Sequence, residues 1–166
     1  MITIRAAVPE DFDLIWPMLR DVFRAGETYA VDPDITAAQA RDYWMGQAKA
    51  TYIAEAAGRI VGTYYIKTNQ PGGGAHICNC GYIVDPDARG RGIAAQMCAH
   101  SQAEAQALGY LAMQFNFVLA SNAGAVRLWH RLGFTTVGTI PLAFAHPTQG
   151  YVDAFVMHKA LRDETR

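Results

Sequence analysis

Residues 84–97, "VDPDARGRGIAAQM", alternate Arg89 and Arg91 with Gly90 and Gly92 between the end of an expected strand and the start of an expected helix. The first N–H groups of a helix have no internal partner, and the aligned peptide dipoles place roughly half a positive charge there. Such a site suits phosphate. Gly90 and Gly92 allow the chain to bend until several amides face one anion, and without a Cβ they let a phosphate approach the backbone. Arg89 and Arg91 can add charge-assisted contacts at its edge. The stretch reads as a diphosphate cradle. Taken alone, it also reads as a glycine-softened helix start with solvated arginines.

Two other chemistries suggested by local spacing fail on geometry. "GRGIAA" satisfies the dinucleotide pattern G-x-G-x-x-G/A, but "DPDAR" separates the strand from the first glycine, and the next strand ends "FNFVLASN" without the acid that a ribose requires. "HICNC" suggests a metal on His76, Cys78 and Cys80. On a strand, His76 and Cys80 would stand about 13 Å apart, beyond bonds of about 2.0 to 2.3 Å to one ion. No metal is expected.

Composition narrows the partners. The chain has 166 residues, 51% hydrophobic and 17% charged, enough for one domain over 1–166 with a real core. A net charge of −1 lacks the field of a nucleic-acid or anionic-membrane binder, so neither partner is expected and any bound anion must be gripped locally. No apolar run reaches the roughly 18 residues of a spanning helix, and "MITIRAAVPED" lacks a signal-peptide pattern. Three cysteines without a secretory signal read as reduced thiols. The expected location is cytoplasmic.

The elements that must position the cradle follow from periodicity and punctuation. "ITIRA" is a short strand, and Pro9 with acids behind it opens a helix that Gly26 stops. Residues 25–36 form a loop, and Thr36 caps a second helix. "TYIAEA" and "RIVGTYYI" form a hairpin about Ala57 and Gly58. After the turn "NQPGGG" comes a strand from about 76 to 84, then a helix whose inner face carries Ala94, Met97, Cys98, Ser101, Ala105 and Leu108. "LAMQFNFVL" is an apolar central strand, followed by a helix capped by Ser121 or Asn122 and ended by Gly133. Strands at about 134–140 and 150–159 flank an expected loop, "PLAFAHPTQG". The class is α/β: a mixed sheet of about seven strands with about four helices on both faces.

The chain resembles the GCN5-related N-acetyltransferases. Arg89, Gly90, Arg91, Gly92, Ile93 and Ala94 match the family's cradle pattern after a strand ending Val84-Asp85-Pro86, and "SNAGAVRLWHRLGF" matches a second element. The resemblance implies acetyl-CoA as cosubstrate, lying between two splayed parallel strands that end near 84 and 118. Backbone groups of Tyr82, Ile83 and Val84 would pair with its pantetheine. Amides from Arg89 to Ala94 would hold the pyrophosphate, and Asn122 would contact the pantetheine arm. It further implies direct attack of a primary amine on the thioester, with the Tyr82 amide as oxyanion donor, a contact worth about 2.7 to 4 kcal/mol.

An alkylamine with a pKa of about 10.4 is almost wholly protonated at pH 7, so a base is expected. Glu27, His76 and His146 are the candidates, with Glu27 favoured. At the position where the family often carries a Tyr acid stands Trp129; its indole N–H could stabilise a thiolate without giving up its proton. Tyr29, Trp44, Tyr65, Asn79, Asn116, His146 and Tyr151 are expected to wall the acceptor site. Few of these are acidic, which favours a small amine or amino acid over a polycation. A protein lysine or N-terminal acetyltransferase and a non-catalytic CoA-binding sensor are the alternatives. A homodimer is a reasonable default for such a fold.

Overall fold

Capping and turn chemistry start and stop most elements. In the computed structural model, which describes residues 1–162, β1 (Thr3–Ala6) leads through a 3-10 turn at Pro9–Asp11 into α1 (Phe12–Ala25). Gly26, with φ of 63°, supplies the left-handed residue that ends α1. Pro17 lies inside α1; the carbonyl it leaves without a donor belongs to exposed Asp13, where water can serve it. Thr36 opens α2 (Ala37–Arg41) through a capping box, its hydroxyl accepting from the Gln39 amide at 3.3 Å. A π-helical turn, Asp42–Gly46, extends it.

β2 (Ala50–Ala56) and β3 (Arg59–Thr68) meet at Ala57 and Gly58, both at positive φ, the primed turn that suits the twist of a hairpin. β4 (Ile77–Val84), α3 (Ile93–Ala107), β5 (Ala112–Leu119), α4 (Ala123–Arg131), β6 (Thr135–His146) and β7 (Gly150–Ala160) follow. The seven strands form one sheet in the order β1-β2-β3-β4-β5-β7-β6. The mixed sheet with four helices is the architecture the sequence predicts.

Alternation along the strands divides the core in two. On one face α3 and α4 bring Ile93, Met97, Cys98 and Trp129 against Tyr64, Ile66, Cys80 and Phe115. On the other, α1 and α2 bring Phe12, Leu19, Phe23 and Ala40 against Ile53, Tyr65 and Ile83, with Trp44 of the π turn among them. The three cysteines are buried free thiols.

Two expectations are corrected. Leu108 is 40% exposed rather than internal, because α3 ends at Ala107. Residues 141–146 are not loop: β6 runs on to His146, paired Phe144↔Val152 and His146↔Gly150, after an irregularity between Ile140 and Phe144. Pro141 is tolerated because β6 is the outermost strand, where a missing N–H need not break a ladder. Within the irregularity Leu142 takes φ of 49°, and its amide donates to Asp153 Oδ1 at 2.9 Å.

Candidate active site

The wedge begins where two parallel strands stop pairing. β4 and β5 share only the pairs Ile77↔Ala112 and Cys78↔Met113, although they continue to Val84 and Leu119. Each keeps its outer neighbour: β4 stays in unbroken antiparallel register with β3, and β5 follows β7. The strands therefore diverge without losing their place in the sheet. At the fork Asn79 Nδ2 donates to the Gln114 carbonyl at 2.9 Å, a side-chain link in place of the next ladder bond. A cavity of about 790 Å³ follows the wedge.

The register decides which backbone groups face this cavity. Ile77 C=O and Asp85 N–H bond Asn69 and Val61 on the β3 side, whereas His76 C=O accepts from Leu111 on the β5 side. Backbone groups alternate in direction along a strand, so those of Cys80, Tyr82 and Val84 point into the wedge. Those of Ile83 face β3 opposite Thr63, and its side chain is buried in the core. Of the three residues expected to offer backbone groups, Ile83 does not.

Tyr82 is held on three sides. Its hydroxyl shares a 2.7 Å hydrogen bond with Ser101 Oγ, its ring lies 5.2 Å from that of Trp129, and its carbonyl accepts from Tyr29 Oη at 3.1 Å. Burial holds the Tyr29 and Tyr82 phenols well above their ordinary range. Trp129, also against Phe115 at 5.1 Å, lines the cavity one helical turn below Ala125. Both core and cavity roles apply to it.

Beyond Val84 a 3-10 turn at Pro86–Ala88 delivers the chain to the glycines. Gly90 and Gly92 have φ of 75° and 73°, and no heavy atom stands within 4 Å of where a Cβ would be. The concavity is open to a ligand. Ile93 and Ala94, in the first turn of α3, have amides without intrahelical acceptors. The Arg89 amide differs from expectation, since it donates to Pro86 C=O at 3.4 Å; the residue itself still lines the cavity. Arg91 is exposed and outside the cavity wall.

Asn122 caps α4, its Oδ1 accepting from the Ala125 amide at 3.4 Å, and lines the cavity. Beside it Ser121 Oγ is buried with no partner among the described residues. An orphaned hydroxyl, an open glycine cradle and two strand edges without ladder partners all fit an extended, polar, phosphate-bearing ligand such as acetyl-CoA.

At the other end Glu27 and Tyr29 come from the loop after α1, Tyr65 and Lys67 from β3, Asn116 from β5, and His146 from the end of β6. Glu27 is exposed. His146 Nδ1 accepts from the Thr148 amide at 3.2 Å, which places the proton of the neutral ring on Nε2. Asn116 Nδ2 donates to Asn69 Oδ1 at 2.6 Å. Asn79 lines the cavity but is 8% exposed and tied at the fork, where Tyr65 Oη also reaches its Oδ1 at 3.4 Å.

Three expected members lie elsewhere. Tyr151 is 71% exposed and outside the cavity, opposite Ala145 across the outer hairpin. His76 stands at the paired end of β4, away from the opening. Trp44 is fully buried, its Nε1 donating to Thr63 Oγ1 at 3.0 Å. Conversely, Tyr43, Lys67 and Ser121 line the cavity without having been expected as wall. For Lys67 the signal was present: it follows Tyr65 by two, hence shares its face of the strand. Its Nζ lies 5.2 Å from the ring centres of both Tyr43 and Tyr65, and burial pulls its pKa down.

Among the described residues no helix is long and apolar enough to cross a membrane, and no cluster of three or more metal-ligating side chains occurs.

Comparison with known proteins places this geometry. Residues 13–134 match the family model for the "Acetyltransferase (GNAT) family". The chain is 32% identical over 148 residues to "N-acetyltransferase aca1" of Schizosaccharomyces pombe, covering 79% of this chain and 71% of the relative. A GCN5-related N-acetyltransferase structure from Kribbella flavida superposes with a TM-score of 0.91 at 41% identity, over 96% of this chain and 97% of that one. The yncA structure from Salmonella typhimurium, solved with acetyl-CoA, superposes at 0.85 with 20% identity, over 100% and 97% of the two chains.

Proposed function

Because this chain belongs to the GNAT acetyltransferase family and is therefore an acetyl-CoA-dependent acetyltransferase, we propose that its acceptor is the primary amine of a small molecule or amino acid. Transfer would proceed by direct attack in a ternary complex. The observation that carries this reading is the wedge beyond Cys78 and Met113, where strand edges without ladder partners open onto a single cavity that also reaches Glu27, Lys67 and His146.

Acetyl-CoA supplies an acyl thioester as the electrophile; the rest of the reading concerns this chain's own groups. Tyr82 and Val84 offer alternate backbone pairs to the pantetheine, the first-turn amides of Ile93 and Ala94 with the Gly90–Gly92 bend take the pyrophosphate, and Asn122 and Ser121 meet the arm between them. The Tyr82 N–H faces the wedge, as an oxyanion donor must. Glu27 is the carboxylate on the acceptor side and takes the ammonium proton directly or through water. Trp129 Nε1–H serves as a donor to the leaving sulfur without itself ionising.

The end of β6 and the turn after it favour a small acceptor over a protein chain. His146, Thr148 and Gln149 line the cavity, narrowing the side on which a polypeptide would need an open groove. Thiol release from acetyl-CoA over a panel of primary amines and amino acids tests the reading. Intersecting initial-velocity lines for one or more of these acceptors are expected. Turnover only on peptides would replace the small acceptor, and parallel lines would remove the ternary complex. Tight acetyl-CoA binding with no turnover on any acceptor would overturn catalysis itself. Glu27→Gln should lower kcat/KM about 10²-fold or more.

A further inference from the structure

We propose that Lys67 is an anion-binding residue of the acceptor site, and that the acceptor is therefore an amine with a neighbouring carboxylate, such as an α- or β-amino acid, rather than a simple alkylamine. This inference rests on the acetyltransferase reading and narrows it.

The chamber that must receive a cationic amine carries an ammonium group of its own. Lys67 sits on β3 directly across from Asn79 at the fork, on the face that holds Tyr65. Its Nζ, 5.2 Å from two tyrosine ring centres, is packed against their faces. Among the described residues it takes part in no ion pair, since the five that occur involve Arg5, Arg20, Arg59 and His100. Aromatic faces compensate a half-buried cation only in part. An uncompensated ammonium beside the path of an ammonium substrate repels it, and repulsion is stronger there than in water. The arrangement makes chemical sense when the substrate brings an anion.

Charge distribution in the cavity fits such a molecule. Glu27 lies on the same acceptor side, so one wall offers a carboxylate to the substrate's ammonium and another offers an ammonium to its carboxylate. A zwitterion satisfies both, whereas a monoamine leaves Lys67 facing a like charge. The burial that lowers the Lys67 pKa in the absence of a counter-charge would be offset by a bound carboxylate.

The experiment compares kcat/KM for a panel of amino acids with that for their decarboxylated amines, expressed per neutral amine because the decarboxylated amines are the more basic. Wild type, Lys67→Met and Lys67→Arg are assayed alike, with near-UV circular dichroism and acetyl-CoA calorimetry reporting the fold of each variant. Wild type is expected to favour at least one amino acid over its amine by about 10- to 100-fold. That ratio should collapse toward unity in Lys67→Met, mainly through the KM of the acid, and recover in Lys67→Arg. Turnover of the amines at parity with the acids in wild type would overturn the inference while leaving the transferase reading intact, as would an unchanged ratio in folded Lys67→Met. If Lys67→Met fails to fold, loss of the preference at pH values that discharge Lys67 in wild type, with Lys67→Arg insensitive, decides the matter instead; a preference that persists overturns it. Absence of turnover on every acceptor would remove both readings.

Discussion

Replacing Gly81 by alanine should damage the acceptor side of the site more than the acetyl-CoA side. An added Cβ at Gly81 would stand 2.7 Å from Tyr65 Cε1 and 2.9 Å from both Cζ and Oη. Ordinary contact begins at 3.4 Å, so the ring must retreat by at least 0.7 Å. A free side chain would yield cheaply, but this ring is 3% exposed and set edge-on to Trp44 at 4.8 Å and to Tyr43 at 6.0 Å. Overpacking of such a cluster costs about 1 to 3 kcal/mol, or about 2 to 12 °C in Tm for a chain of this size. The displaced ring carries with it the Tyr65 contact to Asn79 and one of the two faces beneath Lys67. Thermal unfolding, acetyl-CoA calorimetry and acceptor kinetics read the three consequences separately. The expected result is a lower Tm, a raised acceptor KM and a smaller change in acetyl-CoA affinity. Wild-type Tm together with wild-type acceptor KM would refute the argument that Gly81 is there to let Tyr65 lie across β4.

Gly92→Ala meets no protein atom within 4 Å, so its stability cost should be only the roughly 1 to 2 kcal/mol of a left-handed alanine, while acetyl-CoA affinity by calorimetry falls at least about tenfold because the added methyl stands in the open concavity where the phosphate must approach the backbone. Trp129→Phe keeps the ring contacts with Tyr82 and Phe115 but removes the N–H; kcat should fall about 10-fold, with no change in the basic limb of the pH profile, since indole does not titrate there. Asp11 is held below the usual carboxylate range chiefly by its hydrogen bonds from Arg5, against the effect of burial. Because the folded pKa is the lower one, the contribution is complete above the unfolded value of about 3.9 and is lost as pH falls through the folded value. Urea denaturation should therefore find Asp11→Asn less stable than wild type from neutral pH to about pH 5, with the gap closing in acid.

What the sequence reveals and what it conceals differ by the range of the cause. Thr36 with Gln39, Ala57 with Gly58, and Gly26 are legible because cap and turn geometry is decided within a few residues. The cradle is legible for the same reason. Its Arg89 amide is not, because the turn that consumes it depends on Asp85 and Pro86 closing a 3-10 loop. Pro141, Pro147 and Gly150 make residues 141–150 read as loop, yet the edge position of β6 lets a strand pass through Pro141. The acceptor wall is the least legible part. Tyr151, His76 and Trp44 have the right chemistry, but pairing register and packing turn them outward, to the closed end and into the core. The fork itself is a long-range effect, since it depends on β4 and β5 each preferring an outer neighbour to one another.

The irregularity in β6 bears on how readily the outer edge of the sheet could template another strand. A twelve-residue outermost strand with Val137, Ile140 and Leu142 at its surface would otherwise be a ready template for another chain's backbone. The left-handed residue Leu142 breaks the straight run of that edge, and the Asp153 carboxylate of the neighbouring β7 holds the break in place by accepting from the Leu142 amide. Removing the Asp153 carboxylate should therefore relax the break and leave a straighter, more aggregation-prone edge, which light scattering on folded Asp153→Ala would read.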